Sequence, residues 1–555
     1  MRSRQLIPAM FVLALTAADA AESAAPKLPP AEQKIKDTVD HWGAPFSDQL
    51  RAFNTKFRAY EQKLGKGKLD YVLGVETSLR KTFLPKYWFK GELTDSVSLF
   101  AARNEAEAFQ LAVLPKMGFE LRDVLVTASG LTGPNGKTLP ADTITLLRVG
   151  YVGTARPQYA TRHVGMWPDP LLELRPFSVT GTDLGLVWCE VKVPQDAPPG
   201  DYQGTLTVRA ANSHPLTLTL RLHVWGFALP DRVPMPMCVW TSGTSKQDCA
   251  VLLEHHTDPI SVGMTAKLDQ LDEILEFCFA RGLMCFQTIP LRDAKAFRPY
   301  YDHIKQKGWL DSAMIYGARD EPLAEHFERI NVPKTQEIRE AFPGLRVFLA
   351  SQYYEGMARG CDIHLFDLST NFHSWLARGR PGKQALWWYF CGVPIQADLE
   401  RPVVDAPRML IDRDAVEHRA VYWLAHYYDV KGMFTYAGNR YPAGNENWPA
   451  EPWKGNKKMS YPYAGLHNGD GFLIYPGARP SIRLKCVRDG AEDYWYLSKM
   501  AALARRGRCK EQARALLDGI RPAVFVDTHY FSRRPGALLE YRRRLGEFIE
   551  TASRK

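Results

Sequence analysis

Ala313-Met314-Ile315-Tyr316-Gly317-Ala318-Arg319-Asp320-Glu321-Pro322 decides how this chain is read. An apolar run of strand length ends at a glycine, two adjacent carboxylates follow, and proline leads into a helical pattern over Ala324–Ala341. A strand feeding a helix is half of a βα unit, and the alternation recurs on both sides. Upstream, a helical stretch around Ala266–Arg281 precedes a strand at Met284–Ile289 and a helix over Phe297–Lys307. Downstream, strands are expected at Leu345–Ala350, Ile363–Phe366, Ala385–Phe390, Met433–Tyr436 and Phe472–Tyr475. About 250 residues of such units suit a (β/α)8 TIM-like barrel better than a single Rossmann unit. In such a barrel the C-terminal strand ends form the catalytic face, which sets Asp320 and Glu321 at its mouth. A competing reading makes the same residues a helix start, with an acid as cap and Pro322 in the first turn.

The preceding region follows a different period. Leu216-Thr217-Leu218-Thr219-Leu220-Arg221-Leu222-His223-Val224 alternates strictly, as a strand with one buried face must. It pairs with Thr205–Val208 across a turn-rich loop at residues 210–215, and Phe109, Leu111 and Val113 alternate likewise. Several short strands separated by turn signals predict a β-sandwich. The expected organisation is therefore multidomain: a signal peptide at 1–20, a helical lead-in at 21–69 and an all-β sandwich at 70–232. A (β/α)8 barrel at 233–495 and a helical C-terminal tail at 496–555 complete it.

Arg2 and Arg4 precede the apolar stretch Leu6–Ala18, and Ala18-Asp19-Ala20 offers a small-x-small cut, the pattern of a cleavable export signal. Secretion or a periplasmic location is expected, with no membrane span in the mature chain. The 555 residues carry 71 basic against 61 acidic side chains. From Arg505 to Lys555 there are 13 Lys/Arg against six Asp/Glu, so much of the excess belongs to the tail. Leu538, Tyr541, Leu545, Phe548 and Ile549 recur at helical spacing, which puts Arg542-Arg543-Arg544 on a solvated face. Nucleic-acid binding is not expected. The nine cysteines show no CxxC and no zinc spacing, and their pairing is not legible. His255-His256 reads as surface loop rather than a metal pair. Phosphate-loop, HExxH and GxSxG motifs are missing.

Two adjacent carboxylates of unequal reach suit glycoside cleavage. The longer Glu321 can protonate a glycosidic oxygen while the shorter Asp320 holds a neighbouring group, provided the glutamate titrates near ~6–7 through burial and a nearby anion. Ordinary glycosidases separate their carboxyls by ~5 Å or more, but in substrate-assisted enzymes the sugar's own 2-acetamido oxygen attacks C1. Seven of the 14 tryptophans lie between residues 375 and 495, and the amide-rich, aromatic stretch Asn439–Trp448 follows a strand end, where binding loops belong.

Asp320-Glu321-Pro322 after a strand, Trp387-Trp388-Tyr389, Thr435–Asn439 and the run from Asn468 through Gly477 to Tyr494 together resemble glycoside hydrolase family 123. The last stretch also resembles the bacterial domain of unknown function 4091. The resemblance implies an exo-acting, retaining β-N-acetylgalactosaminidase working by substrate assistance on a glycan, with Glu321 as general acid/base and Asp320 orienting the acetamido group. It also points to Trp388, Tyr389, Tyr436 and Asn439 for the sugar pocket, and it implies no metal or organic cofactor. Arg319 departs from the small or apolar neighbour expected there; a guanidinium reaching Glu321 would favour its ionised form. Other readings are a β-N-acetylglucosaminidase, a two-carboxylate hydrolase using Asp362, Asp367 or Asp470, and a non-catalytic carbohydrate-binding protein on the same scaffold.

Overall fold

The computed structural model describes residues 46–65, 69–157, 159, 161–243, 245–368, 372, 376, 385–391, 406–441, 460–461, 467–506 and 509–553. The chain divides into two compact units, Met1–Asn54 and Thr55–Lys555. Of the first, the described residues begin the helix Phe46–Leu64. The signal-peptide reading and most of the lead-in lie outside the described residues.

Two antiparallel-rich sheets form the β-region of the second unit. One has six strands in the order Glu92–Leu93, Tyr71–Thr77, Ala106–Pro115, Gly185–Lys192, Ile144–Gly153, Met166–Glu173. The other is built around the long hairpin Gly200–Ala210 and Ser213–Ala228, with Ser96–Arg103 added in parallel. Leu206, Leu218, Leu220 and Leu222 from one sheet meet Phe109, Leu111, Val113 and Val187 from the other in one buried core. The alternation of Leu216–Val224 is realised in full, with every second residue buried. The hairpin turn is tighter than the sequence suggested. Pairing runs on to Ala210 and Ser213, and a register shift after Val208 absorbs the irregularity, so His214 and Pro215 sit inside the strand.

Eight parallel strands follow: β1 (Met237–Val239), β2 (Thr257–Pro259), β3 (Phe286–Gln287), β4 (Ala313–Tyr316), β5 (Arg346–Ala350), β6 (Ile363–Asp367), β7 (Ala385–Phe390) and β8 (Gly432–Thr435). Their hydrogen-bonded order is β2-β1-β8-β7-β6-β5-β4-β3, a TIM-like barrel whose ladder is open between β2 and β3. Three expected features differ. The first two strands, only three residues each among prolines and polar residues, carry too little apolar pattern to be read. Phe472–Tyr475 is not a barrel strand; Ile474–Tyr475 forms a small hairpin with Arg479–Pro480. The single helix over 324–341 is broken by a π-helical turn, Phe327–Asn331.

Sandwich and barrel share one compact unit for a reason visible where they meet. The six-stranded sheet turns acids outward, and the helices Ala415–Tyr427, Ile482–Arg505 and Pro535–Ser553 meet them with buried cations. Glu190 pairs with Lys485 and Arg488 at 2.9 Å each, and Arg483 Nε lies 3.0 Å from Asp169. Arg419 reaches Glu107 at 2.8 Å and Asp493 at 2.7 Å. Arg542 joins Glu105, Glu107 and Asp493. This corrects the reading of the basic triplet. Leu538, Tyr541, Leu545 and Ile549 are buried as expected, but Arg542 is buried beside them, because carboxylates on another part of the chain await it. Arg543 and Arg544 stay on the open side.

Candidate active site

Strand alternation builds the barrel mouth. Met314 and Tyr316 of β4, Ile363 and Leu365 of β6, and Trp387 and Tyr389 of β7 face the barrel core; Ala313 and Ile315 face the helices outside. Tyr316 closes β4. Its hydroxyl donates to the Asp320 carboxylate and accepts the Ala350 N–H at 3.4 Å. Burial, and then the Asp320 charge, pushes the phenol well above its ordinary value, so it remains a donor.

The loop carrying the carboxylates is held from two sides. Asn331, fully buried at the end of the π-helical turn, donates to the Arg319 carbonyl at 3.0 Å, and the Tyr354 hydroxyl donates to the Pro322 carbonyl. Gly317 is required at the bend, since a Cβ there would lie 2.8 Å from Leu349. Glu321 takes φ 38°, the left-handed region, which costs a non-glycine residue about 1–3 kcal/mol. Neither carboxylate caps a helix: Ala324–His326 starts after Leu323 with no side-chain cap. Both side chains are exposed at the mouth.

Desolvation, then Asp320, then Asp367 raise the Glu321 carboxyl above its usual value. Arg319 makes no ion pair with Glu321 among the described residues, so the guanidinium does not oppose that shift. Asp367, at the end of β6, is gripped by Arg408, whose Nη1 and Nη2 lie 2.8 and 3.2 Å from its two oxygens. Arg408 is itself buried.

Aromatic walls flank the acids. Trp240, directly after β1, donates from Nε1 to Gln287 Oε1 at 2.6 Å and stands edge-on to Tyr316 at 5.5 Å and Tyr436 at 6.4 Å. Tyr389 hydrogen-bonds Cys391, whose Sγ is 4.0 Å from Asp470. The structure thus brings together Asp320, Glu321, Tyr389 and Tyr436, and adds Trp240, Gln287, Tyr316, Asp367 and Arg408. Trp240 escaped the sequence reading because β1 did; Tyr316 stood in the quoted stretch but read only as strand.

Two expected pocket residues have other duties. Trp388 is fully buried on the outward side of β7, packed edge-on against Phe372 and 6.1 Å from Tyr428; one step along a strand reverses the face, so Tyr389 is inside and Trp388 is not. Asn439 spends its amide on the scaffold, accepting from Ser242 N–H and donating to Asp248 Oδ2, both at 2.7 Å. Asp362 precedes β6 at the opposite end of the barrel, tied to Arg339 and the Val347 N–H, and is removed as a second acid. Trp375, Trp448 and Trp453 lie outside the described residues. His255 and His256 are buried at the end of the helix Lys246–Glu254, not in a surface loop, and burial holds both well below the ordinary histidine value. Among the described residues no three His, Cys, Asp or Glu side chains are grouped to hold a metal ion.

The family model for the glycoside hydrolase 123 catalytic domain matches residues 295–500, and that for the glycoside hydrolase 123 N-terminal domain matches residues 86–210. The chain belongs to glycoside hydrolase family 123. A solved family 123 glycoside hydrolase from Clostridium perfringens, studied for glycolipid glycan hydrolysis, is similar in fold at a TM-score of 0.63 and 13% identity, covering 87% of this chain and 99% of its own. A family 39 glycoside hydrolase from Bacteroides cellulosilyticus covers 71% and 81% of the two chains at a TM-score of 0.32 and 10% identity. No curated protein matches.

The sequence signature of this family 123 hydrolase proves largely architectural. Asn468 donates to Asp412 and Ala155 and receives the Ala155 N–H, while Arg483, Arg488 and Asp493 belong to the ion network that joins barrel to sandwich.

Proposed function

We propose that the protein removes terminal β-linked N-acetylgalactosamine from glycans with retention, by substrate assistance. The observation that carries this reading is the Tyr316–Asp320 hydrogen bond beside a Glu321 whose carboxyl is raised. Glu321, protonated, delivers its proton to the glycosidic oxygen as the bond to the leaving group breaks. The acetamido carbonyl oxygen attacks C1 from the opposite face, forming a cyclic oxazolinium ion. Asp320, held in position by the Tyr316 hydroxyl, accepts the acetamido N–H and offsets the charge developing on that ring. Glu321, now a base, takes a proton from water, which opens the ring at C1 and restores the original configuration. Trp240, Tyr389 and Tyr436 offer ring faces and edges to the sugar. We further assign the chain to export through residues 1–20. The glycolipid glycans of the Clostridium perfringens relative name the first natural substrates to try.

A panel of aryl glycosides tests this reading. The β-N-acetylgalactosaminide should be hydrolysed at least about 100-fold faster than the matching β-galactoside, since only the former carries the internal nucleophile. The sugar first released should be the β-anomer by proton NMR. Equal turnover of the two glycosides would refute substrate assistance, and preference for the glucosaminide would move the specificity to the gluco configuration.

Asp367 favours a specific second reading, an ordinary two-carboxylate hydrolase, because it stands close enough to Glu321 to raise it. The two roles separate in Asp367→Asn. As a neighbouring charge only, Asp367 lifts the Glu321 carboxyl, so its removal moves the alkaline limb of kcat/KM to lower pH while turnover persists. As the nucleophile, its loss abolishes turnover at every pH.

A further inference from the structure

All nine cysteines are unbridged in the structure, yet they are not evenly dispersed. Two pairs each share one buried cluster and interact through their side chains: Cys249 with Cys278, and Cys238 with Cys285. Both flank the place where the barrel ladder is open. Cys249 lies on the helix Lys246–Glu254, between β1 and β2, and Cys278 on Leu268–Phe279, between β2 and β3. Cys238 belongs to β1 and Cys285 directly precedes β3, both turned into the barrel.

Backbone geometry separates the pairs. A disulfide needs Cα atoms no more than about 7 Å apart. Strands β1 and β3 are not neighbours, because β2 lies between them. One ladder interval of ~4.7–4.9 Å separates β1 from β2, and the gap from β2 to β3 is wider because no ladder spans it, so the backbones of Cys238 and Cys285 start beyond the ~7 Å window. The two helices pack directly on each other. Helix axes ~8–10 Å apart, each with Cα atoms at a radius of ~2.3 Å, bring directly facing Cα atoms to ~3.4–5.4 Å, within the ~7 Å limit for a disulfide. Cys249 and Cys278 share one apolar cluster and are essentially without solvent exposure.

We propose that Cys249 and Cys278 are a disulfide-forming pair that staples the open seam of the barrel, while Cys238 and Cys285 remain thiols. The loop so closed holds β2 and the 3-10 turn Ile260–Gly263, which is the sheet edge lacking a ladder partner towards β3. Three-residue β2 has ladder hydrogen bonds on one side only, its tie towards β3 being the Met284 N–H donated to the Asp258 side chain at 2.9 Å, so cross-linking the helices before and after it restrains a sparsely laddered edge. The chemistry is thiol–disulfide exchange with an external disulfide oxidant, a protein disulfide or oxidised glutathione, before the helices close over the site. The thiolate of one cysteine attacks an oxidant sulfur and expels the other as thiolate. The second cysteine then attacks the mixed disulfide, forming the Cys249–Cys278 bond. Two electrons and the two protons pass to the oxidant, which leaves as a protein dithiol or as two molecules of reduced glutathione.

The test uses the full chain directed to the bacterial periplasm by a heterologous signal peptide, so that it does not depend on residues 1–20. The purified protein is denatured without reductant, alkylated and mapped by peptide mass. The expected result is one linked Cys249/Cys278 species, about 2 Da lighter than its two free peptides, with Cys238 and Cys285 alkylated. Reductant should lower the thermal midpoint of the wild type by on the order of 5 °C, the effect of closing a loop of about 30 residues. The double variant Cys249→Ser/Cys278→Ser should begin at that lower midpoint and not respond to reductant. Alkylation of both Cys249 and Cys278, or a bond from either to a different cysteine, would overturn the proposal. Because glycosidase turnover is not the readout, its failure and that of the functional reading are distinguishable.

Discussion

Glu321→Gln should leave a folded protein that has lost about 10²–10⁴-fold of its turnover of a p-nitrophenyl glycoside, the range for removing a general acid/base. Glutamine keeps the size of the side chain and its reach, and Glu321 is exposed at the mouth, so thermal unfolding should move by no more than about 0.5 kcal/mol. The readout that isolates the acid role is the leaving group. A dinitrophenolate departs without needing a proton, so the variant's deficit in bond cleavage should shrink for that substrate and widen for a poorer leaving group. A uniform loss across leaving groups would assign Glu321 a positioning role, and unchanged turnover would remove it from the mechanism. The alkaline limb of the wild-type profile should lie above that of an isolated glutamate, because desolvation, Asp320 and Asp367 all favour its protonated form.

The second large effect concerns stability rather than chemistry. Arg419→Met should cost about 3–5 kcal/mol, the range for removing one member of a buried ion group. The magnitude follows from what a single guanidinium serves. Arg419 is fully buried, donates to both oxygens of Asp493 at 2.7 and 2.8 Å and to Glu107 at 2.8 Å, and lies 3.5 Å from Asp489. Methionine fills the volume but leaves several carboxylates in an apolar setting with fewer counter-charges, and one or more must protonate or draw in water. Arg543→Met, at the residue directly after Arg542 but with its ion pairs to Glu540 and Glu547 at the surface, should cost at most about 1 kcal/mol. Paired denaturant or thermal melts measure both. Equal costs would show that the junction is not held by its buried charges.

Much of the barrel was legible because period and punctuation agree with it. Ala313–Tyr316 and Arg346–Ala350 are apolar runs of strand length bounded by glycine or charge, and nothing competes with that reading. β1 and β2 were not legible, because three-residue strands lie below the length at which apolar periodicity can be distinguished from linker. The acids were legible by position alone: a strand ends, and two carboxylates follow. Their partners were not. Asp367 stands 46 residues further on and Trp240 some 80 earlier, and only the curling of the sheet brings Asp367 near Glu321 and Trp240 against Tyr316.

The amino-acid sequence by itself determined the architecture, the acid pair and the family, since each depends on local order: alternation for the sandwich, recurring strand–helix units for the barrel, adjacency for Asp320 and Glu321. The tertiary structure alone decided which aromatic residues face the mouth, where one step along β7 separates Tyr389 from Trp388. It also decided that Arg542 is buried and Arg543 is not. Helical periodicity can say that a side chain lies near the edge of an apolar face, but a cation enters a protein interior only where opposite charges have been folded into place to receive it.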